Sequence, residues 1–260
     1  MEQNYFENLF DLRDKVVFLT GATGQLGYEI TKNLVKAGCY VVGADSCLNE
    51  TKQISSSYCE YINLDVREKD AVAQVIEGIF KKYGSVDILI NNAGVSCFEP
   101  FEDRPEDSFD WVMDVNLKGT FFCIQSYINC IKNKQKKGNI VNIASLYGVI
   151  SPDFRIYTDC DRKNSEVYGA TKAGIIQMTR YFAVHLAQYG ITVNSISPGG
   201  LYNPDSPQGN DFIKNYIFRC PLGRMAESED IIGGILFLSS KAASYITGQN
   251  ITIDGGFSCW

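Results

Sequence analysis

The chain has 260 residues, 45% of them hydrophobic and 21% charged, the proportions of a globular protein rather than a disordered one. Its 24 Lys and Arg against 30 Asp and Glu leave a formal charge of −6, which argues against nucleic acid or an anionic membrane as partner. Nine cysteines with no CxxC pair, and a lone histidine, His185, argue against a zinc site or a secreted disulfide framework and fit a reducing, cytoplasmic compartment.

Residues 1–14 carry Glu2, Glu7, Asp11 and Asp14 and lack the basic-then-apolar order of a signal peptide. Beyond them, residues 16–19, 40–42, 61–64 (the weakest), 86–90, 140–143, 191–196 and 251–253 read as strands. Most lack polar alternation, as expected where both faces of a strand are covered. Helical patterns lie between them, as in Ala71, Val72, Val75, Ile76, Ile79 and Phe80, and again in Ile231, Ile232, Ile235, Leu236 and Leu238. This alternation predicts an α/β fold, a single Rossmann-like domain over residues 1–260 with a doubly wound parallel sheet of about seven strands and helices on both faces. The stretch 181–204 has no Asp, Glu, Lys or Arg but is broken by His185, Gln188, Asn194 and Pro198-Gly199-Gly200, so it does not read as a membrane span. Two long irregular segments, 146–167 and 203–224, follow strands at the rim where open α/β sheets bind ligands.

Thr20-Gly21-Ala22-Thr23-Gly24-Gln25-Leu26-Gly27 follows the first strand and opens a helix ending near Gly38. Glycines there let the backbone turn tightly and approach a pyrophosphate, whose charge a helix N-terminus stabilises. Gly21, Thr23, Gly24, Gln25, Leu26 and Gly27 are therefore candidate dinucleotide contacts, although any tight strand-to-helix turn uses glycine. Asp45 stands 18 residues after Gly27 at the end of the second strand, placed to accept hydrogen bonds from a ribose 2′-OH and to repel a 2′-phosphate. NAD is favoured over NADP; the plainer alternative is a strand-end turn residue.

A Tyr-x-x-x-Lys pair puts both side chains on one helix face. The sequence holds two, Tyr28/Lys32 and Tyr168/Lys172. The first falls on the helix after the glycine loop and reads as coincidence. The second follows the strand ending in Ala144-Ser145, whose serine faces the dinucleotide rim. With these pieces in order, and with Asp65-Val66, Asn91-Asn92-Ala93-Gly94, Asn116, Pro198-Gly199 and Asp254-Gly255-Gly256, the chain resembles the short-chain dehydrogenase/reductase family, in its short single-domain branch, over nearly its whole length. The resemblance implies Tyr168 as general acid/base, Ser145 as hydrogen-bond partner of the substrate oxygen, and Lys172 holding the nicotinamide ribose and lowering the tyrosine pKa. It implies Asn116 in a proton path, Asp65 and Val66 at the adenine, Asn92, Ala93 and Gly94 along the dinucleotide, and Pro198, Gly199 and Leu201 beside the nicotinamide. A free tyrosine titrates near 10, so a base at pH 7 needs about 4 kcal/mol of help, and an ammonium within about 4–6 Å supplies a large part of it.

Three departures stand out. The glycines are spaced G-x-x-G-x-x-G, a spacing of the longer epimerase and dehydratase branch, yet only six residues follow Asp254, too few for a substrate domain. Ser145 and Tyr168 stand 23 residues apart, about ten more than the family habit, and Tyr157 within that gap has Asp161 rather than lysine four residues on. Asn203 stands where the family usually has threonine.

The added residues, with Asp153, Arg155, Asp159, Asp161, Arg162 and Lys163 among Tyr147, Phe154 and Tyr157, read as a solvated loop or as a pocket for a polyhydroxylated or charged substrate, Arg155 then facing phosphate or carboxylate. Ser151-Pro152-Asp153-Phe154, Pro198-Gly199-Gly200 and Tyr245-Ile246-Thr247-Gly248-Gln249-Asn250 are similar to oxidoreductases of flagellin modification and bacterial surface sugars. The expected function is NAD(H)-dependent interconversion of an alcohol and a carbonyl on a sugar, sugar phosphate or nucleotide sugar, in a homodimer or homotetramer without a metal. The alternatives are a nucleotide-sugar epimerase or dehydratase, and a non-catalytic NAD(H)-binding sensor or scaffold. Trp111 and Trp260 read as packing residues, Met225 and Phe237 as core, and His185 as a helix-surface or subunit-contact residue.

Overall fold

The computed structural model describes residues 5–132, 137–159, 163–205 and 208–260. Strands β1 (Val16–Thr20), β2 (Tyr40–Asp45), β3 (Cys59–Asn63), β4 (Ile88–Asn91), β5 (Gly138–Ile143), β6 (Ile191–Pro198) and β7 (Asn250–Ile253) form one seven-stranded sheet in the order β3-β2-β1-β4-β5-β6-β7. Every neighbouring pair is parallel, so each connection must cross the sheet and does so mostly through helices. The strand order reverses between β1 and β4, which opens a crevice at their carboxyl ends.

The apolar runs are continuous because both faces are covered, yet their side chains still alternate. Phe18, Val42, Leu89, Ile140 and Val193 point to a core beneath helices α3 (Lys69–Tyr83), α5 (Gly119–Ile131) and α6 (Glu166–Leu186). Val17, Leu19, Val41, Ile90 and Val141 point to the opposite core, beneath α2 (Gln25–Lys36) and α8 (Ser228–Ser239). Ile76 and Leu89 are fully enclosed, and truncating either to alanine would cost about 2–5 kcal/mol. Buried amides add direction to this packing: Asn91 Nδ2 donates to Asn142 Oδ1 at 2.8 Å, and Asn142 Nδ2 donates to Thr179 Oγ1 at 2.9 Å. That chain pins α6 to two central strands and so fixes the helix carrying Tyr168 and Lys172.

Two elements differ from the sequence reading. The segment 203–224, read as irregular, contains helix α7 (Asn210–Arg219), whose partly or fully buried Phe212, Ile213 and Tyr216 were legible as one apolar face. The segment 146–167 folds into two short 3-10 turns, Leu146–Gly148 and Phe154–Ile156, before α6 begins. Met1, Glu2, Cys160, Asp161, Arg162 and Pro207 lie outside the described residues. Cys39, Cys97, Cys123 and Cys220 are buried free thiols, while Cys47 and Cys259 are exposed. Met225 lies in a small core with Tyr216 and Phe257, and Phe237 packs against the core under α2 and α8. His185 is exposed on α6 and stacks on Tyr181. Among the described residues no group of three His, Cys, Asp or Glu gathers as metal ligands, and no helix is long and apolar enough to cross a membrane.

Candidate active site

A cleft of about 570 Å³ runs across the carboxyl ends of the central strands. At one end, the turn from β1 into α2 is built by glycine. Gly21 sits at φ +65°, and a Cβ there would lie 2.8 Å from Ala93 Cα, so loop and β4 rim touch backbone to backbone. A Cβ at Gly27 would fall 1.9 Å from the Gly21 carbonyl oxygen, which makes glycine obligatory. Gly24 is the N-cap of α2 and offers no side chain to the helix's first N–H groups. Those donors, with the helix dipole, are left for an anion. Asn92 locks the loop by donating through Nδ2 to the carbonyls of Thr20 and Gly21 at 3.1 and 2.9 Å.

Asp45 ends β2 at the rim, where its Oδ2 accepts from Thr23 N at 3.1 Å. Thr23 itself does not line the cleft: its hydroxyl donates to Cys47 O at 3.2 Å and so braces the β2 loop. Beyond Asp45, Asp65 and Val66 line the cleft, and Arg67 folds back on the Asp65 carboxylate at 2.6–3.1 Å. This guanidinium holds the Asp65 carboxyl below the usual carboxylate range.

The other end is assembled around α6. The Lys172 side chain is buried, and its Nζ donates to Ile143 O at 2.9 Å. Burial lowers its pKa to about 8. A Cβ on Gly94 would lie 3.2 Å from this Nζ and 3.5 Å from Asn116 Oδ1, so the three residues meet. Asn116 lies on a π-helical turn, Asp114–Lys118, completely buried beneath the cleft rather than on its wall. Its amide accepts from Val95 N at 2.8 Å and donates to Val95 O at 2.9 Å and to Thr171 Oγ1 at 3.1 Å. Ser145 ends the β5 segment and Tyr168 stands one turn before Lys172, with Lys172 Nζ 5.5 Å from the centre of its ring. Burial raises the Tyr168 pKa, and its hydrogen bond with Ser145 works against that rise. Desolvation likewise disfavours the charged form of Lys172.

Residues 21–258 match the family model described as Enoyl-(Acyl carrier protein) reductase. The 3-oxoacyl-acyl-carrier-protein reductase FabG of Thermotoga maritima is 34% identical over 253 residues, covering 94% of this chain and 98% of that relative. The NAD-dependent glycerol dehydrogenase of Listeria innocua is 35% identical over 261 residues, covering 97% of each. The crystal structure of a short chain dehydrogenase from Leptospira borgpetersenii with bound NAD+ superposes with a TM-score of 0.91 at 41% identity, covering 99% of this chain and 97% of that one. The chain belongs to the short-chain dehydrogenase/reductase family.

It is thus an oxidoreductase of a family that binds NAD(P) and acts on small molecules. The glycine loop, open helix end and acidic rim fit a dinucleotide on the geometry above. Gly21, Gly24, Gln25, Leu26, Gly27, Asp45, Asp65, Val66, Asn92, Ala93, Gly94, Ser145, Tyr168, Lys172, Pro198, Gly199 and Leu201 all line the cleft. Against the family's glycine spacing, Gln25 spans outward, donating through Nε2 to Tyr202 O at 2.6 Å, and so ties the glycine loop to the substrate loop. Asn203 turns on itself, its Oδ1 accepting from Asp205 N at 3.1 Å. Tyr28 and Lys32 line no part of the cleft, and Lys32 pairs with Glu29 at 2.9 Å.

Several expectations about the substrate end change. Arg155 has 88% of its side chain exposed and pairs with Asp153 at 2.9 Å, outside the cleft, so it is not placed for a substrate phosphate or carboxylate. Trp111, read as packing, lines the cleft, and Trp260 is exposed with Nε1 donating to Arg219 O at 3.1 Å. Tyr147, named only among the residues of the added loop, and Asn164, missed altogether, also line it. Position was the available signal for Tyr147, two residues after Ser145. For Trp111 there was none, because it is brought in by α4 (Glu106–Met113) from far along the chain.

Proposed function

We propose that the protein is an NAD(H)-dependent oxidoreductase interconverting an alcohol and a carbonyl on a sugar or related polyhydroxylated substrate, with Tyr168 as general acid/base. The observation that supports this most is the meeting of Ser145, Tyr168, Lys172 and Asn116 at one end of a cleft whose other end is an open helix N-terminus beside Asp45. The nicotinamide, when bound, supplies or takes up the hydride. Ser145 holds the substrate oxygen, and Tyr168 gives its proton to that oxygen in reduction and removes it in oxidation. Burial favours the neutral phenol, which is the form reduction needs. In oxidation the phenolate must form, so Lys172, held on Ile143 O, supplies its charge and a ribose contact. Asn116 holds the π turn and Val95 in place behind that pair and continues the proton path.

NAD is the preferred dinucleotide in this reading. A 2′-phosphate would meet the Asp45 carboxylate, and Arg67, the cation lining that end, is already engaged by Asp65. The carbohydrate reading draws on the glycerol dehydrogenase relative and on the likeness to surface-sugar and flagellin-modification oxidoreductases. A cytoplasmic homodimer or homotetramer completes it, since Tyr181 and Val184 stand 62% and 82% exposed on α6.

The test is Tyr168→Phe with a panel of sugars and polyols, followed as sustained NADH formation. Turnover should fall by about 10²–10⁴-fold while NADH affinity stays within twofold. Equal turnover by both proteins would sink the mechanism, and tighter binding of NADPH than NADH would sink the Asp45 assignment.

A further inference from the structure

Among the described residues between Ser145 and Tyr168, the polar side chains that line the cleft are Tyr147 and Asn164, neither of them charged. Asp153 is drawn between Arg155 and Arg219, and Asp159 Oδ2 accepts from Asp211 N and Phe212 N at 3.1 and 3.3 Å, capping α7. These carboxylates are spent on joining two loops. The cations that line the cleft, among the described residues, are Arg67 on Asp65 and Lys172 on Ile143 O; in the adjoining cavity that Tyr147 and Asn164 also border, Arg104 is paired with Glu99 and Glu166, and Lys163 lies over the Phe154 ring.

Of Tyr147 and Asn164, Tyr147 is the nearer in the chain to Ser145. It lines the cleft two residues beyond Ser145, whose Oγ accepts from Tyr147 N at 3.1 Å, so its position is tied to the reacting end. Its hydroxyl lies 3.2 Å from the hydroxyl of Tyr157. Tyr157 packs on Phe212 of α7 with ring centres 5.0 Å apart, and Phe212 leads through Tyr216, whose hydroxyl oxygen accepts from Gly200 N at 2.7 Å, back to the nicotinamide rim. Burial and the neighbouring tyrosines Tyr157, Tyr216 and Tyr168 keep the Tyr147 phenol neutral. A phenol carries one donor and two acceptor positions. Whichever member of the pair donates, Tyr147 keeps either its proton or a lone pair for a ligand.

We propose that Tyr147, held by Tyr157, is a specificity-determining residue that hydrogen-bonds a second, neutral hydroxyl next to the reacting carbon, making the substrate a neutral vicinal polyol or sugar rather than a phosphorylated one or an isolated alcohol. This rests on Tyr168 and Ser145 marking the reacting carbon. A site built around a buried hydroxyl discriminates against an analogue lacking the matching group, because the position the hydroxyl keeps for a ligand is then left without a partner.

The experiment uses the full chain with NAD+ and two matched pairs: cis-cyclohexane-1,2-diol against cyclohexanol, and glycerol against glycerol 3-phosphate. The wild type is expected to prefer the diol by about tenfold or more in kcat/KM, and glycerol over its phosphate. Tyr147→Phe should bring the diol-to-alcohol ratio to near one, and Tyr157→Phe, which leaves the Tyr147 hydroxyl but not its anchor, should lower it by a smaller factor. Thermal midpoint and NADH affinity report whether each variant keeps its fold. The proposal is overturned by a ratio unchanged in Tyr147→Phe, by a wild type that does not prefer or turn over the diol, or by preference for the phosphate. Retained turnover in Tyr168→Phe would instead bring down the acid/base reading beneath it.

Discussion

The two ends of the cleft are held by different means. The dinucleotide end is backbone against backbone: Gly21 on Ala93, Gly27 under the Gly21 carbonyl, and Asn92 bonded to the main chain of both loop residues it reaches. The substrate end is side chain against side chain, with Asp153 between two arginines, Asp159 on the N-terminus of α7, and rings running from Tyr157 to Phe257. Backbone contacts tolerate no substitution and suit a cofactor that never changes. Contacts between side chains can be rewritten residue by residue, which suits a region that must select a particular substrate. Gln25, bonded to Tyr202 O, is a direct link between the two.

The sharpest way to break this contrast is at Gly27. An alanine there must push the Gly21 carbonyl aside, since its Cβ would lie 1.9 Å away. Overpacking of this kind costs about 1–3 kcal/mol, and here the displaced atoms are the pyrophosphate cradle. NADH affinity should fall by about 10–100-fold, as read by fluorescence titration. A variant that binds NADH normally would show that the loop is not held by its backbone.

Lys172 sharpens the comparison from the catalytic side, because its burial opposes stability. Its pKa falls from 10.5 to about 8 on folding. Between those values the unfolded chain binds more protons than the folded one, so stability rises with pH across that window. Below pH 8 the native state carries a desolvated ammonium. Lys172→Met removes this cost of about 3 kcal/mol but gives up a charge-assisted bond to Ile143 O worth about 1.5–3 kcal/mol. The variant should therefore match wild type in stability or exceed it by up to about 1.5 kcal/mol at pH 7 in urea unfolding without cofactor, with the gain shrinking as pH approaches 10.5, and it should be inactive. A destabilised variant at pH 7 would show that the ammonium is well solvated or paired in the folded protein.

How much was legible in the sequence follows the same division. The alternation of strands and helices and the tight glycine turn after β1 were legible because continuous apolar runs and backbone-constrained turns leave local signals. The three family motifs around Ser145, Tyr168 and Lys172 were found by order along the chain, and the structure gathers them because the Asn91–Asn142–Thr179 bonds fix α6 against β4 and β5. The two readings of Arg155, solvated or facing substrate, could not be separated in the sequence because a charge in a loop says nothing of its partner; Asp153, two residues earlier, captures it at the exposed surface. Helix α7 was missed because the prolines around it outweigh the apolar face of a ten-residue helix whose capping carboxylate, Asp159, comes from some fifty residues upstream. Trp111 carries no local cue at all, since the crossover from β4 decides what it faces.

Asp159 offers the smallest and most discriminating test. Gly209, the N-cap residue of α7, has no side chain to cap the helix, and a Cβ there would meet Asp159 Oδ2 at 2.0 Å. The distant carboxylate therefore takes over the capping position and places its charge at the positive end of the helix dipole. Asp159→Ala should lower stability by about 1 kcal/mol, with Asp159→Asn losing less because its amide oxygen can still accept. Asp159 is exposed, so the loss common to both variants, that of the charge at the helix dipole, should shrink in high salt while the difference between them remains. If the two ends of the cleft are separately supported, loosening α7 raises substrate KM severalfold and leaves the NADH dissociation constant where it was. A matching rise in the NADH constant would mean that the Gln25–Tyr202 bond carries the disturbance across the rim, and the ends would then have to be regarded as one mechanical unit.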